Sequence, residues 1–233
     1  MKEFSNKYII IYSLAMGVSV AILLSLTALL LQPRQEKNVE VEKKMNILSS
    51  INVPSEKSNA VQLYEKYIRD SYVINSEGKK FDGVDAFTVT LRAEQKKPLE
   101  EQYLPLFVAV DDNGDTLRIF PLEGKGLWGP IWGYISLKED LSTIAGVTFD
   151  HKGETPGLGA EINTTEFESQ FHDKKLFDNG AFVSVKVVKG GAGPGNLHEV
   201  DAISGGTVTS KALEKMLLDG LVKYEKYLSQ KRK

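Results

Sequence analysis

The stretch DAISGGTVTS, residues 201–210, sets four hydroxyl side chains, Ser204, Thr207, Thr209 and Ser210, around Gly205 and Gly206, directly ahead of an apolar-periodic run. A helix start leaves backbone N–H groups unpaired and carries a partial positive charge, so it holds a phosphate without a basic side chain. Glycines let the backbone come close to such an anion. A single capping hydroxyl, worth about 1 kcal/mol, accounts for one of the four, but not for the glycines or for Asp201. A hydroxyl pointing into an anion site is also positioned to be esterified, and the residues alone leave bound and covalent phosphate both open.

A second stretch, HKGETPGLGAEI at residues 151–162, has Pro156 fixing its own φ while Gly157 and Gly159 permit positive φ on either side of Leu158. Such a loop can hold Leu158 outward against a flat ring, with Glu154 and Thr155 offering hydrogen bonds to the ring's polar edge. An ordinary type II turn accounts for the same residues equally well. Trp128 and Trp132, in GKGLWGPIWGYISL, are large apolar groups whose N–H needs a partner, suited either to the core or to a protein-facing surface.

Other stretches carry less. DDNGD at 111–115 alternates acids as a calcium loop does, but Thr116 and Leu122 stand where that loop needs glycine and a bidentate glutamate; Asn113-Gly114 reads as a hairpin turn. GGAGPGN at 190–196 lacks the Lys-Ser/Thr of a phosphate loop and reads as surface loop. His151, His172 and His198 are too scattered to form a metal set by spacing. With no cysteine, the chain has no disulfide, thiolate or iron–sulfur chemistry, so any redox role needs an organic cofactor. A net charge of -2 with no basic stripe argues against a nucleic-acid partner.

These stretches need elements to position them. Residues 8–31 are uncharged and give about 36 Å of helix, enough to cross a hydrocarbon core of about 30 Å and too long for a cleaved signal. Flanking charges do not fix the orientation, and the span carries no acidic residue for an ion pathway. Residues 1–7 read as an N-terminal tail, 32–53 as a charged tether and 54–233 as one folded domain. Apolar spacing predicts a helix over 54–74 and a long one over 210–228, with a short helix near 166–173; short runs rich in β-branched and aromatic residues, separated by Gly, Asn, Asp or Pro clusters, predict strands at 86–92, 104–110, 116–122, 133–137, 144–150 and 181–189. Strands outnumber helices and do not alternate with them, so the fold class is α+β, a transmembrane helix followed by a domain with a twisted, largely antiparallel sheet flanked by helices.

Taken in order, the N-terminal span, GLWGPIWGYISL, TIAGVTFDHKGETPGLGAEI and VDAISGGTVTSKAL resemble the C subunit of the sodium-translocating NADH:quinone oxidoreductase, over most of the chain. The related G subunit of the Rnf electron-transfer complex shares HKGETPGLG and the flavin-attachment features, and it stands as one alternative; a non-redox, membrane-anchored module binding a phosphate ligand is the other. The resemblance implies an FMN-binding domain with FMN joined through its phosphate, as a phosphoester, to Thr207, the last residue of Ser204-Gly205-Gly206-Thr207. Gly206 stands where the family usually has alanine. By the same resemblance Glu154, Thr155 and Leu158 contact the flavin, and Lys189 lies near its ring, where a cation raises the potential by favouring an anionic reduced flavin. It further implies an electron relay with no catalytic residue and no metal site of its own, partnered by the other subunits, a flavin transferase using FAD and magnesium, and membrane lipid. The expected location is the bacterial inner membrane, with the soluble domain on the periplasmic side. The chain lacks a dinucleotide-binding glycine fingerprint after an early strand, so NADH oxidation falls to a partner.

Overall fold

The computed structural model describes residues 5–231; the first four residues of the expected tail, and the last two of the basic C-terminus, lie outside the described residues. In chain order the elements are α1 (Asn6–Ser50), α2 (Ala60–Tyr67), β1 (Ile68–Ile74), β2 (Lys80–Phe81), α3 (Leu91–Glu94), β3 (Leu104–Val110), β4 (Thr116–Lys125), β5 (Pro130–Leu137) and β6 (Ile144–His151). Then come α4 (Thr165–Ser169), β7 (Phe177–Asp178), β8 (Ala181–Phe182), β9 (Lys186–Val188), β10 (Glu199–Asp201), α5 (Thr207–Leu221) and α6 (Glu225–Lys231). Among the described residues α1 alone is long and apolar enough to cross a membrane. The charged stretch at 32–50 continues it as helix.

Residues 44–231 form a compact unit around an antiparallel six-stranded sheet in the order β2-β1-β3-β4-β5-β6. Side chains alternate across its pleat, so both faces carry a core. On one face Leu106, Phe120 and Leu122 pack with Leu213, Met216, Leu217 and Leu221 of α5. On the other, Phe107, Ala109 and Ile119 pack with Ile47, Leu48 and Ile51, so the end of the stretch expected to be a tether contributes to this core. The β3–β4 connection is the hairpin that Asn113-Gly114 predicts, with Gly114 at φ +89°.

Three expectations fail, each through an interaction that local spacing does not contain. The helix expected over 54–74 forms only at α2; from Ile68 the chain runs extended because β1 pairs with β3, Tyr72 opposite Leu106 and Ile74 opposite Leu104. The strand expected at 86–92 is replaced by a turn leading into α3. Asp85 Oδ1 accepts the Phe87 N–H (2.9 Å), and the Asp85 carbonyl accepts the Thr88 N–H (3.1 Å) and hydroxyl (2.9 Å). The strand at 181–189 splits into β8 and β9, since Ser184 adopts φ +59° between them.

Candidate cofactor site

The hydroxyls of residues 201–210 sort to opposite sides of the start of α5. Thr209 and Ser210 are buried, while Ser204 and Thr207 are exposed. Thr209 Oγ1 donates to Glu154 Oε2 at 2.6 Å. Ser210 Oγ accepts the Ile203 N–H at 3.1 Å and so ties the helix to the chain that approaches it. Gly206 is the N-cap residue, and no side chain caps the helix. The first turn of α5 therefore presents its N–H groups beside an exposed Thr207 hydroxyl that takes no partner among the described residues.

The 151–160 loop folds over this start. Thr155 O accepts the N–H groups of Leu158 and Ala160 (3.1 Å each), and Glu161 Oε1 accepts the Gly157 N–H (2.8 Å). Gly157 takes φ +75°, as the loop sequence predicts. Leu158 is held outward, 42 % exposed, with its Cδ2 2.5 Å from where a Cβ on Gly205 would stand. Gly205 also has φ +74°, so both conformation and contact call for glycine. A Cβ on Gly206 would come 2.9 Å from Ile203 Cγ2, close enough that alanine there would require Ile203 to shift slightly.

Glu154 is 5 % exposed and ties three segments together. Besides Thr209, its Oε1 accepts the Trp128 backbone N–H (2.9 Å), and its own backbone N–H donates to His151 Nδ1 (3.2 Å). Trp128 and Leu127 sit at the tip joining β4 to β5, 70 % and 51 % exposed, giving further apolar surface beside the loop. Beyond Trp128 a groove of about 900 Å³ runs between this hairpin and α5. In it burial raises the pKa of Glu123 and lowers that of Lys223.

The structure thus brings Leu158 against Gly205 and Gly206, and Glu154 against the α5 turn that Thr207 opens. Thr155 is exposed and acts in the loop through its carbonyl. Lys189 is exposed in the turn after β9; the preceding carbonyl, Val188 O, accepts the Ala202 N–H (2.8 Å), which sets this turn beside the chain entering residues 203–207. Sequence reasoning did not select Thr209 or Trp128 as site residues. A hydroxyl two residues from Thr207 falls about 200° round the helix, which is the signal that separates an inward Thr209 from an outward Thr207.

An uncapped helix start, a glycine pair, an outward hydroxyl and exposed apolar side chains suit a phosphate-bearing planar ligand, and together with the fold they define an FMN-binding domain carried on a chain with one N-terminal apolar helix. The family model for the FMN-binding domain matches residues 126–222. The C subunit of the Na(+)-translocating NADH-quinone reductase of Vibrio vulnificus strain YJ016 is 32% identical over 212 residues, covering 83% of this chain and 82% of that one. Its counterpart in Pasteurella multocida is 32% identical over 223 residues, covering 88% and 84%. Among solved structures, the C subunit from Parabacteroides distasonis aligns with a TM-score of 0.79 at 43% identity, covering 85% of this chain and 96% of that one. NqrC of Shewanella oneidensis aligns with a TM-score of 0.71 at 26% identity, covering 82% and 97%. This chain belongs to the family formed by the C subunits of the Na(+)-translocating NADH-quinone reductases.

Proposed function

We propose that the chain is the FMN-carrying electron relay of a sodium-translocating NADH:quinone oxidoreductase, with FMN held by a phosphoester to Thr207. The observation that supports this most directly is the sorting of hydroxyls: Thr209 and Ser210 are buried and bonded, whereas Thr207 is exposed at an uncapped helix start. In the attachment step Thr207 Oγ1 forms a bond to the flavin-side phosphorus of FAD as that phosphorus loses its bond to the bridging oxygen. AMP leaves with the bridging oxygen and its electron pair, and the hydroxyl proton passes to a base on a separate flavin transferase. Once bound, FMN supplies the redox chemistry that a cysteine-free chain lacks.

In this reading the backbone N–H groups of the first α5 turn, with Ser204, Gly205 and Gly206, hold the phosphate, while Leu158, Glu154 and Thr155 line the ring. Lys189 supplies a cation near it. Residues 8–31 span the inner membrane in contact with lipid, 32–53 connect, with Ile47, Leu48 and Ile51 already seated in the domain core, and 54–233 hold the flavin on the periplasmic side. Covalent attachment suits that side, because a dissociable flavin would be lost there by dilution. Electrons pass between this chain and the other subunits. Mass spectrometry of peptides from chain matured in its native host tests the reading: the peptide containing Thr207 carries one FMN less water, and an unmodified Thr207 refutes it.

A further inference from the structure

We propose that Thr209 and Glu154 form a positioning pair that holds the 154–158 loop over the outward face of α5, so that Thr207 meets its phosphoryl donor and the attached ring stays ordered against Leu158. This rests on Thr207 being the attachment point. Two pins hold the first turn of α5. Ser210 fastens it to its own approach chain through the Ile203 N–H, and Thr209 fastens it to the loop through Glu154. Removing the Thr209 hydroxyl leaves the Ser210 pin in place, so the helix keeps its seat and the loop loses its anchor.

Three features show that the Thr209–Glu154 contact is built rather than incidental. The carboxylate is 5 % exposed and Thr209 2 % exposed, so the bond is shielded from water, and hydrogen bonds to a charged group are the stronger kind. The second carboxylate oxygen is taken by the Trp128 backbone N–H at 2.9 Å, so the same group also steadies the backbone of the β4–β5 tip. Finally, the loop approaches so closely at Gly159 that a Cβ there would collide with Thr209 Oγ1 and stand 2.6 Å from Glu154 Oε2. Thr209 touches no flavin in this arrangement; it acts through Glu154 and the loop, and a reacting site depends on such support for its alignment.

The test uses the full-length chain in detergent, incubated with a flavin transferase, FAD and magnesium. Initial labelling rate and the visible circular dichroism of the bound flavin are read well below the melting temperature. Thr209→Val keeps the shape and removes the hydroxyl. Its label stays on Thr207, its labelling rate falls about tenfold, in line with one lost hydrogen bond to a carboxylate, and the flavin dichroism weakens. Thr209→Ser restores both. Where Thr209→Val does not fold, Thr209→Ala serves: it also removes the hydroxyl that Glu154 Oε2 accepts while leaving the Ser210 pin, and the same two losses follow. Wild-type rate and dichroism in the folded variant overturn the positioning role while leaving Thr207 attachment standing. A wild-type chain that takes no label overturns the attachment reading and this proposal together.

Discussion

Gly159→Ala gives a quantitative test of the junction beneath the site. Gly159 is buried, and its backbone lies outside the left-handed region, so alanine meets no conformational strain there and any cost is steric. The added methyl would overlap Thr209 Oγ1 and stand 2.6 Å from Glu154 Oε2. Neither neighbour can move without breaking the 2.6 Å bond between them, and Glu154 is further held by the Trp128 N–H. Overpacking a filled interior costs about 1–3 kcal/mol, and a lost hydrogen bond to a carboxylate about 1.5–3 kcal/mol, which together put the substitution at about 2.5–6 kcal/mol. For a chain of this size that lowers the melting midpoint by roughly 5–24 °C. Gly153→Ala is the control. It lies in the same loop, also outside the left-handed region, with nothing within 4 Å of its added Cβ, and it should stay within about 0.5 kcal/mol of the wild type. Thermal unfolding of the purified full-length chain, followed by far-UV circular dichroism, reads both. A Gly159→Ala midpoint equal to that of Gly153→Ala would show that the junction is loose enough to absorb a methyl, and the close-packing argument would fail.

Thr207→Ala should abolish flavin fluorescence on a denaturing gel while leaving the melting midpoint unchanged, and Thr209→Ala should keep the fluorescent band; the reverse pattern moves the attachment point by two residues. Lys189→Ala should lower the flavin midpoint potential by an amount on the order of tens of millivolts, the effect of one solvent-screened charge near the ring, and an unchanged redox titration removes Lys189 from the site. Glu168 is pushed up to about 7, chiefly by burial and also by the nearby Asp150 charge, against the opposing effect of the Phe149 N–H and Thr148 hydroxyl that it accepts. Its folded pKa lies above its unfolded one, so its contribution to stability is complete below about pH 4.5 and is lost as pH rises through 7. Glu168→Gln should therefore flatten the fall in stability between those values, and an unaltered pH profile of the melting midpoint would refute the assignment.

Much of the loop chemistry was legible in the residues because it is local. Positive φ at Gly157 and the Gly114 hairpin follow from what a backbone without a Cβ can do in a short loop; Gly159, read the same way, takes no positive φ and is needed instead for its close approach to Thr209 and Glu154. The strands β3 to β6 were legible for a similar reason, since they are short runs rich in β-branched and aromatic residues bounded by Gly, Asn, Asp or Pro, as strands buried on both faces are. Residues 68–74 and 86–92 were not. Ile68–Ile74 has spacing that suits a helix, yet it completes the edge of β3, and residues 86–92 have strand composition yet are turned by the Asp85 hydrogen bonds.

By itself the sequence determined that the chain has an apolar span, that its redox chemistry cannot be its own, and that a hydroxyl-rich glycine stretch opens the last long helix; residue type and short-range spacing fix each of these. Only the tertiary structure decided what the inward hydroxyl meets. Its partner is Glu154, 55 positions away, and a glycine whose missing side chain lets the two segments touch makes the bond possible. No local pattern encodes that meeting, because it exists only when the sheet carries the 151–160 loop to the start of α5.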